Sequence, residues 1–163
     1  MIRSIKNLVW KLLNVIGIGG SVQLYLESTL KDSGWFKSYH SKRSVDADGA
    51  ALPWYTYSFI AFLKPRIKNH FEVFEYGSGN STKWYGARVH RILAVENDAN
   101  WIEIMKPSLP PNASVLNRAL GEDYIQAIGE IPDRSYHIIV VDGRNRVKCT
   151  DYAAQFLTDD GVL

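Results

Sequence analysis

FEVFEYGSGNSTKWYG, residues 71–86, sets an apolar and aromatic run of strand length, EVFEY, against a helical pattern, STKWYGARV, with Gly77 and Gly79 in the turn between them. A strand running through a glycine turn into a helix leaves several backbone N–H groups free at the helix start, around a hollow without side chains. Such a hollow accepts an anionic or polar group pressed against the main chain. Ser81 or Thr82 is placed to cap the helix.

Outward from this turn, apolar runs of strand length alternate with helical patterns. RILAVE is a second strand, and DANWIEIMKPSL carries a helix that Pro107, Pro110 and Pro111 end. ASVLN is a third strand and EDYIQAIGEI a third helix. YHIIVVD, apolar on both faces, reads as a strand in the middle of a covered sheet. CTDYAAQFL then reads as a helix, and GVL opens a fifth strand that stops almost as it starts. The last feature suggests a chain cut short, or a sheet whose open edge invites two copies to pair. Alternation of this kind predicts an α/β fold: a doubly wound, mainly parallel sheet with helices on both faces. The organisation changes near residue 70. Residues 1–69 read as an amphipathic helix and an aromatic lead-in, with a polar turn at DADG and a helical run from Tyr55 to Leu63; residues 70–163 read as the sheet domain.

The totals agree with one domain and a real core: 163 residues, 46% of them hydrophobic. A net charge of +2 with scattered basic residues gives no case for a nucleic-acid partner. Four His and the single Cys149 exclude a disulfide framework or a multi-thiolate zinc site, which favours a reducing, cytoplasmic setting. At the amino end, Ile2, Ile5, Val9, Leu12 and Ile16 recur at three- and four-residue steps among Arg3, Lys6, Asn7, Lys11 and Asn14. Lys11 and Asn14 break the apolar run well short of a membrane span. Two roles suit residues 2–16: packing on the domain or a partner chain, and lying on a membrane surface.

Spacing narrows the ligand of the turn. A dinucleotide fingerprint needs glycine at the sixth position from Gly77, where Thr82 stands, and a P-loop needs a Gly-Lys-Ser/Thr ending that is missing. Glu96, 17 positions past Gly79 at the end of the second strand, suits a carboxylate that accepts ribose hydroxyls. VFEYGSGNS, AVEND and IIVVDGR together resemble the cofactor-binding half of a class I, Rossmann-like S-adenosylmethionine-dependent methyltransferase, over about residues 70–163. The resemblance implies that Glu75, Gly77, Ser78, Gly79 and Ser81 hold the methionine end of S-adenosylmethionine. Glu96 would hold the ribose and Asn97 would lie by the adenine. Asp142 would stand beside the transferred methyl group. The acceptor stays open among a small molecule, a sugar, a lipid-linked intermediate and a protein, with a small-molecule or glycan-like one preferred because no basic groove suits nucleic acid. Ser81 replaces the third glycine usual in this family, and Asn97 stands where an apolar residue is common.

Each of these residues has an ordinary role to weigh. Glycines after a strand are commonly turn residues, Asp98 suits a helix cap, and Asp142-Gly143 suits a turn. Arg144, Arg146 and Lys148 either fix an acceptor carboxylate or phosphate or lie in a solvated loop. Tyr57, with Trp54, Tyr55 and Phe59, either lines an acceptor pocket or packs the lead-in on the sheet. His137 opens its strand at the end away from the crevice. No metal ligand is assigned, because metal-dependent O-methyltransferases of this fold take two ligands from beyond the fifth strand. The other class of reading is a non-catalytic cofactor-binding or scaffold protein.

Overall fold

The computed structural model describes residues 2–163, and the side chain of Ile2, which begins the amino-terminal stripe, lies outside the described residues. The chain divides into two compact units, one up to Ala50 and one from Ala51 to Leu163.

The first unit consists of helices α1 (Ile2–Val15), α2 (Gly19–Leu26), α3 (Thr29–Asp32) and α4 (Trp35–Ser41). The sequence reading leaves α2 to α4 as irregular chain. Local capping makes these short pieces: Ser28 accepts from the Lys31 N–H at 3.1 Å to start α3, and Gly34 (φ +90°) turns the chain into α4. The DADG turn closes as expected, with Asp46 Oδ1 accepting from the N–H groups of Asp48 and Ala50.

In the second unit, α5 (Tyr57–Leu63) precedes five parallel strands: β1 (Glu72–Tyr76), β2 (Arg91–Glu96), β3 (Ala113–Asn117), β4 (Tyr136–Val141) and β5 (Leu157–Val162). Their order is β3-β2-β1-β4-β5. The helices between them are α6 (Asn80–Gly86), α7 (Ala99–Met105), α8 (Glu122–Gln126) and α9 (Arg146–Ala153). The doubly wound parallel sheet anticipated from the alternation is what forms. Strand alternation sorts the core into two layers. Phe74, Tyr76, Leu93, Val95 and Ile139 face Tyr124, Ile125 and Ile128 of the α8 region and Cys149 and Ala153 of α9. Val73, Ile92 and Ile138 face Trp84 and Tyr85 of α6 and Ile60 and Leu63 of α5. Full burial of side chains of this size stabilises by about 1.5–3 kcal/mol each. Residues 51–69, grouped above with the lead-in, thus supply part of the sheet's own core.

The boundary that differs most from the sequence reading is that of β5. The expected helix over CTDYAAQFL ends at Ala153, a 3-10 turn covers Ala154–Phe156, and β5 begins at Leu157 rather than at Gly161. Its six residues are an ordinary strand length. LTDDGV conceals this strand because an edge strand carries charge on its open side, and Asp159 and Asp160 are exposed. The pairing is also irregular: between Tyr136↔Leu157 and Ile138↔Val162, β4 advances two residues while β5 advances five.

After β3 the chain crosses back over β1 to place β4 on its far side, so the strand order reverses between β1 and β4. There the chains leaving both strands nearly touch. A Cβ on Gly77 would lie 3.3 Å from the Gly143 Cα, and one on Gly143 would fall on the Tyr124 hydroxyl and lie 2.9 Å from the Gly77 nitrogen. Gly77 also has φ +97°, which disfavours any side chain. Gly79, by contrast, has extended backbone, and a Cβ placed there would meet only Ser81 Oγ, at 3.9 Å. Gly77→Ala is therefore expected to cost about 2 kcal/mol or more in urea unfolding. Gly79→Ala is expected to cost at most about 1 kcal/mol, the difference between glycine and alanine at a helix start.

Candidate functional site

The carboxyl ends of β1, β2 and β4 open on a hollow of about 450 Å³, within the ordinary size range for small-ligand sites. Open parallel sheets bind ligands at such a reversal of strand order.

Glu75, next to last in β1, is only 2% exposed. Its side chain turns toward α6, where Oε1 accepts from the Ser81 hydroxyl and Oε2 from the Thr82 hydroxyl at 2.5 Å. Thr82 Oγ1 in turn accepts from the Gly79 N–H at 2.9 Å. Ser81 is thus drawn to Glu75 and does not cap α6, and Thr82 supplies only the returning half of a capping box. Burial pushes the Glu75 carboxyl up from 4.5 to about 7; the two hydroxyl donors oppose this, and the charges of Asp142 and Glu96 add to it.

Glu96 closes β2. Its Oε1 accepts from the N–H groups of Asn97 (2.8 Å) and Asp98 (3.1 Å), and its Oε2 from the Ser78 hydroxyl (3.2 Å). Asp98 caps α7 through the N–H groups of Asn100 and Trp101. From the first turn of that helix the Trp101 indole N–H reaches back to the Ser78 carbonyl at 2.9 Å. Across the hollow, Asp142 Oδ1 accepts from the Arg146 guanidinium at 2.8 Å, both side chains being more than half exposed. A pair so exposed contributes at most about 1 kcal/mol to stability, so it orients the carboxylate more than it holds the fold.

Of the residues singled out above, Glu75, Gly77, Ser78, Ser81, Glu96, Asn97, Asp142 and Arg144 line the hollow. Gly79 shapes the turn but is not among the lining residues, and Tyr57 is not either. Tyr57 packs on the core layer beneath α5 and α6, because the start of α5 is anchored there. Lys148 lies 4.0 Å from Glu122 at the surface. His137 stays at the opposite end of the sheet, where its Nδ1 accepts from the Glu72 N–H at 3.1 Å.

Sequence reasoning missed Trp101 and Tyr124 as lining residues, and gave Arg146 an acceptor role or a place in a solvated loop. Trp101 lies in the first turn of α7 and Tyr124 in that of α8, each helix following a strand's carboxyl end. That position was the available signal, since first turns face the crevice in this architecture. The hollow is thus walled by carboxylates, Arg144 and Arg146, backbone, Trp101 and part of the otherwise buried Tyr124. Burial raises the Tyr124 phenol to about 12, so it remains a neutral hydroxyl at working pH. Among the described residues there is no cluster of His, Cys, Asp or Glu suited to hold a metal ion, and no helix is long and apolar enough to cross a membrane.

No protein-family model and no curated protein sequence matches the chain. Solved structures do. A precorrin-8w decarboxylase from Methanobacterium thermoautotrophicum superposes with a TM-score of 0.53 at 16% identity, covering 70% of this chain and 63% of that one. A methyltransferase-like protein from Silicibacter pomeroyi gives 0.51 at 21% identity, covering 66% and 69%. An rRNA methylase from Streptococcus thermophilus gives 0.50 at 10% identity, covering 64% and 65%. The chain thus spans somewhat under two thirds of the decarboxylase. At these identities the likeness concerns the fold, and the functions of the neighbours differ from one to the next. The chain carries the fold of the class I, Rossmann-like methyltransferases.

Proposed function

We propose that the protein binds S-adenosylmethionine in the hollow at the ends of β1, β2 and β4 and transfers its methyl group to a small-molecule or glycan-like acceptor. The observation that carries this reading is the convergence on one hollow of the Gly77 turn, the Glu96 carboxylate and Asp142. The donor set fits the group. Glu96 presents a carboxylate of fixed orientation for a pair of ribose hydroxyls, Trp101 and Asn97 offer faces for a planar base, and the backbone at Gly77 and Ser78 offers polar contacts to an amino-acid end. Glu75 lines the floor of the hollow: with both oxygens engaged by Ser81 and Thr82, it holds the turn in shape.

S-adenosylmethionine supplies an electrophilic methyl group, so the chain's own work is alignment and exclusion of water. Asp142 can orient a hydroxyl or amine acceptor and take its proton, with the Arg146 guanidinium keeping the carboxylate in place. Arg144 lines the same hollow and suits an anionic group on the acceptor. The alternative is a protein that keeps this fold and binds the cofactor without turnover. Turnover with any acceptor distinguishes the two.

Calorimetric titration tests the cofactor directly. S-adenosylmethionine and S-adenosylhomocysteine should bind in the micromolar range and NAD should not. Glu96→Ala should weaken binding roughly 10- to 100-fold, the worth of charge-assisted hydrogen bonds, while Glu96→Gln should retain part of it. If neither sulfur nucleoside binds to folded protein, the reading fails.

Glu75 supports a second test. Its carboxyl pKa is raised on folding, so between about 4.5 and 7 the native state holds more protons than the unfolded chain. Its contribution therefore lowers stability as pH rises through that window, by an amount on the order of 3 kcal/mol, and levels off above it. Glu75→Gln should flatten this part of the stability-against-pH curve in urea unfolding. An unchanged slope would mean that Glu75 is charged throughout.

A further inference from the structure

The first unit leaves an apolar surface that nothing within it covers. Along α1 and the residue that follows it, Ile5, Leu8, Val9, Leu12, Val15 and Ile16 fall on one side, and all are exposed: Leu8 is 68% exposed, Leu12 60% and Val15 84%. The half-buried positions of α1, among those described, are Trp10 and Leu13, and the helix packs along α2. The aliphatic stripe is about 17 Å long, from a rise of about 1.5 Å per residue.

The other side of α1 carries Arg3, Lys6 and Lys11 among Ser4, Asn7 and Asn14, and the sequence has no Asp or Glu before Glu27. Charge therefore selects the occupant. A second copy laid stripe to stripe would bring two basic helices together with no acidic residue on either to answer them. A protein groove that takes an amphipathic helix draws its binding energy from large anchors, but the stripe is wholly Ile, Leu and Val, and Trp10 stands off it. A bilayer with anionic headgroups answers both sides at once: the aliphatic stripe enters the acyl boundary, while the basic side chains extend their stems to reach the phosphates.

We infer that α1 docks this protein onto an anionic membrane surface, lying in the interface plane. No helix among the described residues crosses the bilayer, and the attachment is reversible and weakened by salt.

The test is co-sedimentation of the full chain with vesicles of phosphatidylcholine alone and of phosphatidylcholine mixed with phosphatidylglycerol. The chain should sediment with the mixed vesicles, and added salt should release it. Lys6→Gln with Lys11→Gln should weaken the attachment on the order of 30-fold, since each basic residue near such a surface is worth about fivefold. Leu8→Asp with Leu12→Asp should abolish it, with circular dichroism unchanged in both variants. Wild-type protein left in the supernatant of both vesicles overturns the inference. So does sedimentation that persists in the Leu8→Asp, Leu12→Asp variant. A concentration-dependent dimer, dispersed by the same two aspartates and indifferent to vesicles, would assign the stripe to a second copy instead.

Discussion

Two glycine backbones in contact set the geometry of everything above the sheet. Gly77 follows β1 and Gly143 follows β4, and their approach leaves no room for a side chain at Gly143 and little at Gly77. Because the strand order reverses at this point, the two chains must diverge into helices on opposite faces. The hollow is the space left by that divergence. Its walls are the first turns of the helices that follow β2, β3 and β4, which is why Trp101, Tyr124 and Arg146, far apart in sequence, share one cavity. The absence of a side chain at Gly77 is thus favoured by the chain's own backbone, its φ of +97° and the nearby Gly143, before any ligand is considered.

Beneath the turn lies an electrostatic arrangement that is costly in isolation. A carboxyl group in the core loses its hydration, and here two hydroxyl hydrogen bonds replace part of it. These bonds tie the end of β1 to the first turn of α6, so the shape of the glycine turn depends on Glu75. A core residue of polar type, at a place where an apolar one would pack with less penalty, marks local structure kept for precision at the site rather than for stability.

Much of this is legible in the sequence where burial imposes a pattern. EVFEY, RILAVE and YHIIVV are strands because both faces are covered, and their runs are apolar accordingly. The glycine turn, Glu75, Glu96 and Asp142 stand out because strand ends in a parallel sheet must open on the crevice. Other features have no such pattern. β5 is an edge strand with two exposed aspartates, and α2 to α4 are too short for periodicity to declare itself. Tyr57 groups with its aromatic neighbours in the sequence, but proximity along the chain does not say which side of a helix start faces the core. Gly143 reads as a turn former beside Asp142, and its role as the packing partner of Gly77 exists only in three dimensions.

Ser78, Glu96, Asp98 and Trp101 form a closed loop of contacts: hydroxyl to carboxylate, carboxylate to backbone N–H, cap to helix, and indole back to the Ser78 carbonyl. The rim of the hollow is therefore internally satisfied without a guest. A hydroxyl arriving at Glu96 Oε2 meets an oxygen already oriented by Ser78 that can accept a second, charge-assisted bond. Apolar contact is added by the Trp101 ring, which is partly exposed, whereas Tyr124 is buried in the core. The polar rim acts as a template that both reads the guest's hydroxyl pattern and holds it, with the Trp101 ring alongside.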